Sequence, residues 1–334
     1  MKNLDIVRLA LDVYHGNATV PAEYSDKRPV EVLRQALLDL NGGSAKFDFK
    51  TFRRNKLELF EIIEQIVPVL VNEGLQGDEF FMNLVDERNL AAGDMNEFVT
   101  ADNSLFIVSE MADGIAIPRR QRIGESTSVT VRTTLHGVRI YDELSRFLAG
   151  RIDWNAAIDK IAQSYKAKKL DEIYTVFSGI TATTPGLNDT YVTGGAYSEE
   201  ALLKLVEHVE AATGKTASII GTKAALRKCS TAVQADSARE DYYNMGFYGK
   251  LAGVNMVSVK NRHVPGTDTF IFPDNKLFVF ASDDKPIKHV TEGEAYILDK
   301  DGTTNSDMTM EYFYTEKYGN ALLIADKMGI YDLA

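Results

Sequence analysis

Apolar residues spaced three or four positions apart predict two short amphipathic helices at the start of the chain. The stripe of the first is Leu4, Val7, Leu11 and Tyr14, and that of the second is Val30, Leu33, Leu37 and Leu40. Each helix is too short to be stable alone. Both must therefore dock, either on their own domain or, as an arm, on a neighbouring subunit.

A third helix is predicted from about Phe52 to Val67, where Pro68 ends or kinks it. Residues 76–95 show no assignable pattern. Residues 104–136 predict a long hairpin, entered through Leu105–Val108 and left through a segment in which Val129, Val131 and Thr133 alternate with other residues. Because a hairpin of this length cannot bury both faces within one domain, we expect its tip to project.

Two more helices are predicted behind the hairpin. A short one lies near Tyr141–Leu148. A long one begins at the N-cap Asp153 and reaches about Phe177. At 1.5 Å per residue, the long helix spans roughly 36 Å.

From Ser198 the pattern changes to alternating helices and strands. Ser198 caps a helix with Glu199 and Glu200 in its first turn, where carboxylates suit the helix dipole. The segments that follow are a strand at Ala217–Gly221, a helix at Thr222–Cys229 and a strand at Val254–Val259.

The last sixty residues are rich in predicted strands. The apolar segments Leu277–Ala281 and Ala295–Leu298 come first, and Met308–Thr315 carries bulky residues on both faces. Gly319-Asn320 predicts a turn, and Ala321–Ala325 the returning strand.

Composition limits the classes of protein that fit. At 334 residues the chain is expected to form two or more lobes. A formal net charge of -11 argues against a general nucleic-acid binder, but an acidic inner wall would keep enclosed nucleic acid from adhering. The single cysteine excludes an intrachain disulfide and fits a cytoplasmic origin. The most apolar stretch, 57–75, is interrupted by Glu58, Glu61 and Glu64 and contains Pro68, so it is not expected to anchor the chain in a membrane.

The sequence offers little catalytic chemistry. Gly214-Lys215-Thr216 fails as a phosphate loop because Val209 stands where the motif needs glycine, so Gly214 is interpreted as a helix C-cap. The five histidines lack metal-ligand spacing, and one cysteine cannot build a structural zinc site. Cys229 beside Arg227 is interpreted as a packing residue. We therefore predict no catalytic, cofactor or metal residues, and no enzyme activity.

One basic cluster stands out, at Arg119, Arg120 and Arg122. A solvated loop and a loop tip that pairs with acidic residues of another subunit are the two main interpretations, and we favour the intersubunit contact. Nucleic-acid contact is the weakest interpretation, because no aromatic residues are interleaved with the arginines.

Three segments carry a resemblance to a known family. They are Ile219–Leu226, Gly249–Val257 and the stretch through Phe278–Ala281. Together with the order of elements, they resemble the tailed-bacteriophage major capsid proteins. The resemblance implies an α+β fold with an N-arm, an extended hairpin loop, a peripheral domain with a spine helix and sheet, and an inserted α/β axial domain.

The resemblance also implies a division of the chain. The expected parts are an N-terminal arm and helices (1–95), the extended loop (96–140), the peripheral domain with the spine helix (141–185), the axial domain (186–261) and a β-rich return to the peripheral domain (262–334). Some members begin with a long coiled-coil scaffolding segment, which is missing here, so scaffolding is expected from a separate protein or the fold starts near Met1. Some members cross-link through a loop lysine, and residues 96–138 contain none, so no such cross-link is expected.

The function implied is a virion subunit, made in the cytoplasm of a bacterial host, that assembles into pentamers and hexamers of an icosahedral head enclosing double-stranded DNA. The implied partners are further copies of the chain, scaffolding, portal and decoration proteins, and DNA bound without sequence specificity, but no membrane. Two alternatives stay open: a nanocompartment shell of the same fold, and an α/β enzyme with its site in 198–260. Deletion of residues 1–45 is expected to impair assembly more than solubility, and an insoluble product would mean that these helices belong to the core of the subunit.

Overall fold

The computed structural model describes residues 3–14, 29–40, 43, 49–100, 106–108, 120–121, 127–143, 154–181, 183–184, 187, 189–229, 242–264, 267–281, 284–300, 309–324 and 327–333. The helices in these ranges are α1 (Asn3–Tyr14), α2 (Pro29–Leu40), α3 (Phe49–Gln76), α4 (Glu79–Leu84), α5 (Trp154–Ser178), α6 (Glu199–Thr213) and α7 (Lys223–Lys228). The strands are β1 (Val85–Leu90), β2 (Glu97–Thr100), β3 (Thr127–Thr130), β4 (Thr134–Glu143), β5 (Val192–Gly195), β6 (Ala217–Thr222), β7 (Lys250–Leu251), β8 (Val254–Val259), β9 (Lys276–Ala281), β10 (Ile287–Glu292), β11 (Tyr296–Lys300), β12 (Thr309–Leu322) and β13 (Gly329–Leu333). Within these ranges, no helix has the length and apolar character that a membrane crossing requires.

The two N-terminal helices pack on α3 of their own subunit. Ile6 and Leu9 of α1 and Val32 and Leu33 of α2 are buried in one hydrophobic cluster with residues of α3 and α5. The buried positions of α1 differ from the predicted stripe, because Val7 is only half-buried. Of the two alternatives left open by the sequence, these contacts support docking of α1 and α2 within their own subunit.

Helix α3 continues through Pro68 for two more turns, whereas the sequence predicted an end or kink there. Leu70, Val71 and Leu75 lie beyond the proline and are fully or almost fully buried. At Gly74 an added Cβ would lie 2.9 Å from the Lys166 side chain, so α3 and α5 approach closely. Burial of the apolar residues beyond the proline offsets the backbone hydrogen bond that Pro68 cannot donate.

A five-stranded sheet is organised around the long strand β12. Strand β4 pairs antiparallel with one edge of β12 over ten residues, and β11 and β10 pair one after the other along the opposite edge. Strand β1 extends the sheet beyond β10 as a parallel neighbour. The helix predicted at Tyr141–Leu148 is wrong for Tyr141–Glu143, because these residues form the end of β4 and pair with β12; residues 144–148 lie outside the described ranges.

Gly319 lies inside β12, so the turn predicted at Gly319-Asn320 and the separate returning strand are wrong. Gly319 pairs with Val290, and an added Cβ would lie 2.2 Å from the Arg132 carbonyl oxygen. The glycine is needed because the chain segment before β4 crosses directly over this point of β12. A close backbone contact thus produced the same sequence signal as a turn.

A six-stranded sheet has the order β5-β13-β9-β6-β8-β7. We call this sheet together with α6 and α7 the α/β lobe. Its central strand β9 is buried on both faces: Leu277 and Val279 belong to the cluster under α6, while Phe278 and Phe280 belong to the cluster shared with α5. The two lobes of the subunit therefore share β9 as a common wall.

The predicted division of the chain stays a prediction, and one of its boundaries and one of its segments do not follow the sheets. The boundary at 140 falls within β4. Strands β9 and β13, from the segment expected to return to the peripheral domain, lie in the sheet of the α/β lobe.

Several local predictions in the α/β lobe are confirmed. The Ser198 hydroxyl accepts a hydrogen bond from the backbone N–H of Ala201, and Gly214 ends α6 in the left-handed conformation with φ 68°. Strand β8 has the predicted bounds, and it is joined to β7 through Ala252 and Gly253, both with positive φ. Such two-residue turns match the twist of hairpin strands.

Candidate assembly surface

The hairpin predicted from the sequence is anchored on the five-stranded sheet by two short strands. Strand β2 pairs antiparallel with β3, from Glu97 opposite Thr130 to Thr100 opposite Thr127. The pairing starts earlier in the chain than predicted, and β3 ends before Val131. The returning chain leaves the pairing there because residues 131–133 cross over Gly319 to enter β4.

Phe98 anchors the base of this hairpin in the subunit. Its side chain is buried with Val131 and Val290 in a small hydrophobic cluster. The Arg88 guanidinium lies 3.9 Å from the Phe98 ring centroid, a cation–π distance. The hairpin base is therefore fixed from one side by apolar packing and from the other by a cation.

Glu292 holds three chain segments together at the same base. Its carboxylate accepts hydrogen bonds from the Gly93 backbone N–H (3.4 Å) and the Thr133 hydroxyl (2.5 Å), and it pairs with Lys317 Nζ (2.7 Å). Hydrogen bonds from Lys317 and Thr133 lower the pKa of Glu292 to about 2. The ionised carboxylate therefore joins the β1–β2 connection, the β3–β4 connection and β12.

The low pKa of Glu292 predicts a pH-dependent contribution to stability. Because the folded-state pKa lies below the ordinary value of 4.5, the contribution is fully present above pH 4.5 and is lost as pH falls toward 2. We expect Glu292→Gln to flatten the dependence of the unfolding free energy on pH in that window, measured by urea unfolding at a series of pH values. Glu294→Gln, an exposed carboxyl two residues away, is the matched control. A Glu292→Gln profile parallel to wild type would contradict the prediction.

Beyond its base, the two limbs of the hairpin are held together by a side-chain amide. Gln121 Oε1 accepts a hydrogen bond from the Ile107 backbone N–H, and Gln121 Nε2 donates one to the Ile107 carbonyl, each at 2.8 Å. The apolar segment Phe106–Val108 is exposed there, with Val108 94% exposed. Residues 101–105, 109–119 and 122–126 lie outside the described ranges.

The predicted contact arginines are placed only in part. Arg120 lies next to Gln121 on the returning limb and is exposed, while Arg119 and Arg122 fall outside the described residues. The sequence analysis missed that Phe106–Val108 is an exposed apolar segment. The signal was present, because four consecutive apolar residues, Leu105 to Val108, enter a hairpin already expected to project.

The long helix α5 confirms the prediction at 154–177 and is attached to β12 through a buried ion pair. Lys169 Nζ lies 2.6 Å from Glu316 Oε1, and both side chains are almost completely excluded from solvent. Tyr165 donates to the Tyr314 carbonyl at 3.2 Å one turn earlier on the helix. These contacts fix the position of α5 along the sheet that carries the hairpin.

The residues tested for catalytic chemistry have structural roles in the described part of the chain. Cys229 is buried, and burial raises the pKa of its thiol to about 12, which disfavours a reactive thiolate. Gly214 is a helix C-cap, as predicted. Among the described residues, no group of three or more His, Cys, Asp or Glu side chains could hold a metal ion.

Comparison with known families gives one match over most of the chain. The model of the family described as SPbeta prophage-derived putative capsid protein YonB matches residues 34–332. A comparison with curated proteins finds no match.

Solved capsid structures resemble the fold at low sequence identity. The mature capsid protein of bacteriophage PhiM1 is 10% identical, with a TM-score of 0.53 over 77% of this chain and 87% of that one. The capsid protein of the cyanophage P-SCSP1u is 13% identical, with a TM-score of 0.49 over 76% and 88%. A virus-like particle from Pyrococcus furiosus is 13% identical, with a TM-score of 0.44 over 80% and 98%. The PhiM1 match shows similarity of fold only. The other two matches have TM-scores below 0.5 and support no conclusion.

Proposed function

Because this chain belongs to the YonB family of SPbeta prophage-derived putative capsid proteins, we propose that it builds the head of a tailed phage as its major capsid protein. In this proposal, copies of the chain assemble into pentamers and hexamers. These close into an icosahedral shell that encloses double-stranded DNA. One chain forms both kinds of ring when its contacts are similar in each.

The observation that carries the proposal is the uncovered apolar segment of the hairpin. Phe106, Ile107 and Val108 are exposed, and Gln121 is hydrogen-bonded to the backbone of Ile107. The hairpin base is fixed by Phe98 and Glu292. Burial of this segment against a neighbouring copy would favour association by about 1.5–3 kcal/mol for each large side chain.

The proposed partners follow from the same role. The net charge of -11 would keep packaged DNA from adhering to the shell wall, so DNA is enclosed without sequence-specific contacts. Scaffolding, portal and decoration proteins are the further partners proposed, and no membrane contact is proposed. The protein is proposed to be made in the cytoplasm of a bacterial host and to reside in the virion.

The two alternatives have weaker support. A nanocompartment shell would share the fold, but the matching family is described as a capsid protein. An α/β enzyme would need convergent polar groups, and Cys229, the one candidate nucleophile weighed in that lobe, has a raised pKa. Neighbouring portal or terminase genes would favour the phage head, and a neighbouring peroxidase or ferritin-like gene would favour the nanocompartment.

Negative-stain electron microscopy of the purified protein, alone and co-expressed with its gene neighbours, tests the proposed function. Closed shells, or rings of five and six subunits, are expected. A monomer under every condition, including co-expression with a scaffolding protein, would contradict the proposal.

The basic cluster of the hairpin is expected to contribute to assembly. Arg119→Glu combined with Arg120→Glu reverses two charges on a limb whose Arg120 is exposed, so the subunit should stay folded while particle yield is lost. Circular dichroism reports the fold, and electron microscopy reports the particles. The matched control is Arg119→Lys with Arg120→Lys, which keeps both charges. Wild-type particle yield from the glutamate variant would reject the loop contact.

A further inference from the structure

The two ends of the six-stranded sheet carry opposite charge. Strands β5 and β7 are its two edge strands. At the β7 end, the described residues 222–229 and 242–260 include five cations and no aspartate or glutamate: Lys223, Arg227, Lys228, Lys250 and Lys260. We call these residues the basic end. They are unusual in a chain whose net charge is -11.

The basic end carries an exposed aromatic side chain beside its cations. Helix α7 packs on β6 and β8, and Arg227 Nε donates a hydrogen bond of 3.1 Å to the Tyr242 hydroxyl. Tyr243, next to it, is 85% exposed. Within the described part of the chain, none of the five cations is paired with a carboxylate. The charged residues of segment 230–241 lie outside the described ranges.

The opposite end of the sheet is acidic. Helix α6 lies over β9 and contacts β13, β5 and β6 beside it, so it extends from the middle of the sheet to the β5 edge. A short 3₁₀ turn at 189–191 packs against α6 through a ring contact of Tyr191 with His208. This helix and turn carry five carboxylates and one lysine: Asp189, Glu199, Glu200, Glu207, Glu210 and Lys204. We call these residues the acidic end. Asp189, Glu200 and Glu207 are exposed.

We propose that the basic end of one copy docks on the acidic end of the next copy, so that the α/β lobes join head to tail. The inference rests on the proposed function and specifies which surfaces form the ring contact. Contact between two different surfaces of the same chain produces closed rings when the rotation closes. Opposite charges at the two ends select this orientation, because basic-to-basic and acidic-to-acidic encounters repel.

Pairing between the edge strands of two copies explains a head-to-tail contact less well than side-chain charge does. The edge strands β5 and β7 have four and two residues, and short edges offer few backbone groups to a neighbouring strand. Side-chain charge is therefore the main feature that distinguishes the two ends. Tyr243, exposed beside Arg227, supplies an aromatic contact of the kind enriched at interface centres.

Charge reversal at each end tests the proposal. The first variant combines Lys223→Glu, Lys228→Glu and Lys250→Glu, so both ends of its lobe become acidic. The second combines Asp189→Lys, Glu200→Lys and Glu207→Lys, so both ends become basic. Each alone is expected to assemble at least about tenfold more slowly than wild type at low salt. A chain carrying all six substitutions should regain assembly.

An equal mixture of the two variants gives the sharpest result. Each interface then needs one copy of each kind, so the copies must alternate around the ring. Alternation permits hexamers but not pentamers, because a ring of five cannot alternate. Native mass spectrometry is expected to find six-membered rings containing three copies of each variant, and electron microscopy is expected to find no closed shells.

The controls separate this inference from the proposed function. Circular dichroism and urea unfolding check that each variant folds; glutamine at the same positions provides a milder set, expected to slow assembly in proportion to the charge removed. If wild type forms shells, two results would overturn this inference and leave the proposed function in place. One is normal assembly of either variant. The other is a six-substitution chain that folds but does not assemble. Normal shells of the first variant that no longer retain DNA would instead assign the basic end to nucleic acid. Absence of particles from wild type would remove the proposed function and this inference together.

Discussion

Lys169→Met is expected to lower the unfolding free energy of the isolated subunit by about 3–5 kcal/mol. The Lys169 side chain is 0% exposed, and its Nζ lies 2.6 Å from Glu316 Oε1. Removing the ammonium leaves the Glu316 carboxylate buried without its counter-charge, and the other carboxylate oxygen, Oε2, already has no hydrogen-bond partner in the described part of the chain. An uncompensated buried charge is among the most destabilising changes that a single substitution can cause.

Urea unfolding of the unassembled subunit measures this effect. The matched control is Lys168→Met, which removes the neighbouring lysine: Lys168 is 58% exposed and pairs with Glu172 at 3.1 Å. An exposed pair of this kind contributes about 0–1 kcal/mol. Adding Glu316→Leu to Lys169→Met is expected to recover most of the loss, because apolar residues can replace a buried ion pair. A Lys169→Met variant within about 1 kcal/mol of wild type would contradict the prediction.

Deletion of residues 1–45 is expected to make the subunit insoluble or strongly destabilised, rather than to impair assembly alone. Ile6, Leu9, Val32 and Leu33 are buried in the main hydrophobic cluster of the subunit. Each contributes about 1.5–3 kcal/mol by burial, and their removal exposes the apolar face of α3 that they cover. The soluble fraction after expression and the midpoint of urea unfolding measure the result.

A point variant tests the same contact without removing a segment. Ile6→Ala is expected to destabilise the subunit by about 2–5 kcal/mol. Leu57→Ala is the control, because Leu57 lies on α3 with its side chain exposed, and such a change alters stability by within about 0.5 kcal/mol. A soluble, stable deletion variant that fails only to assemble would restore the arm interpretation of these helices.

The sequence by itself determined the elements whose signals are local. The long helix α5, the capped helix α6, the strand β8 and the C-cap Gly214 all follow from apolar spacing, a polar cap or a glycine at a chain end. These signals work because the groups that satisfy a helix end or fill an apolar stripe lie within a few residues of each other. The resemblance to tailed-phage capsid proteins was likewise available from the sequence, and it is confirmed.

For the assembly surface, the sequence indicated a projecting hairpin and the cluster around Arg120, but not how the hairpin is held. The anchor Phe98, the Glu292 contacts and the pairing of Gln121 with Ile107 join residues that are far apart in the chain. No spacing rule relates such residues, since their meeting depends on the path of the chain between them. The opposite charges at the two ends of the α/β lobe depend in the same way on the strand order.

Only the tertiary structure decided what several ambiguous residues do. Gly319 has the sequence signature of a turn, yet it lies within β12 because the backbone at Arg132 passes too close for a side chain. Pro68 remains inside α3 because the residues beyond it are buried against α5 and the core. A glycine or a proline in the sequence indicates that the backbone is unusual at that position. The residues that pack there, and so decide which unusual conformation forms, come from distant parts of the chain. The sequence therefore determined the elements with local signals, and long-range packing determined which surfaces they bury and which they leave exposed.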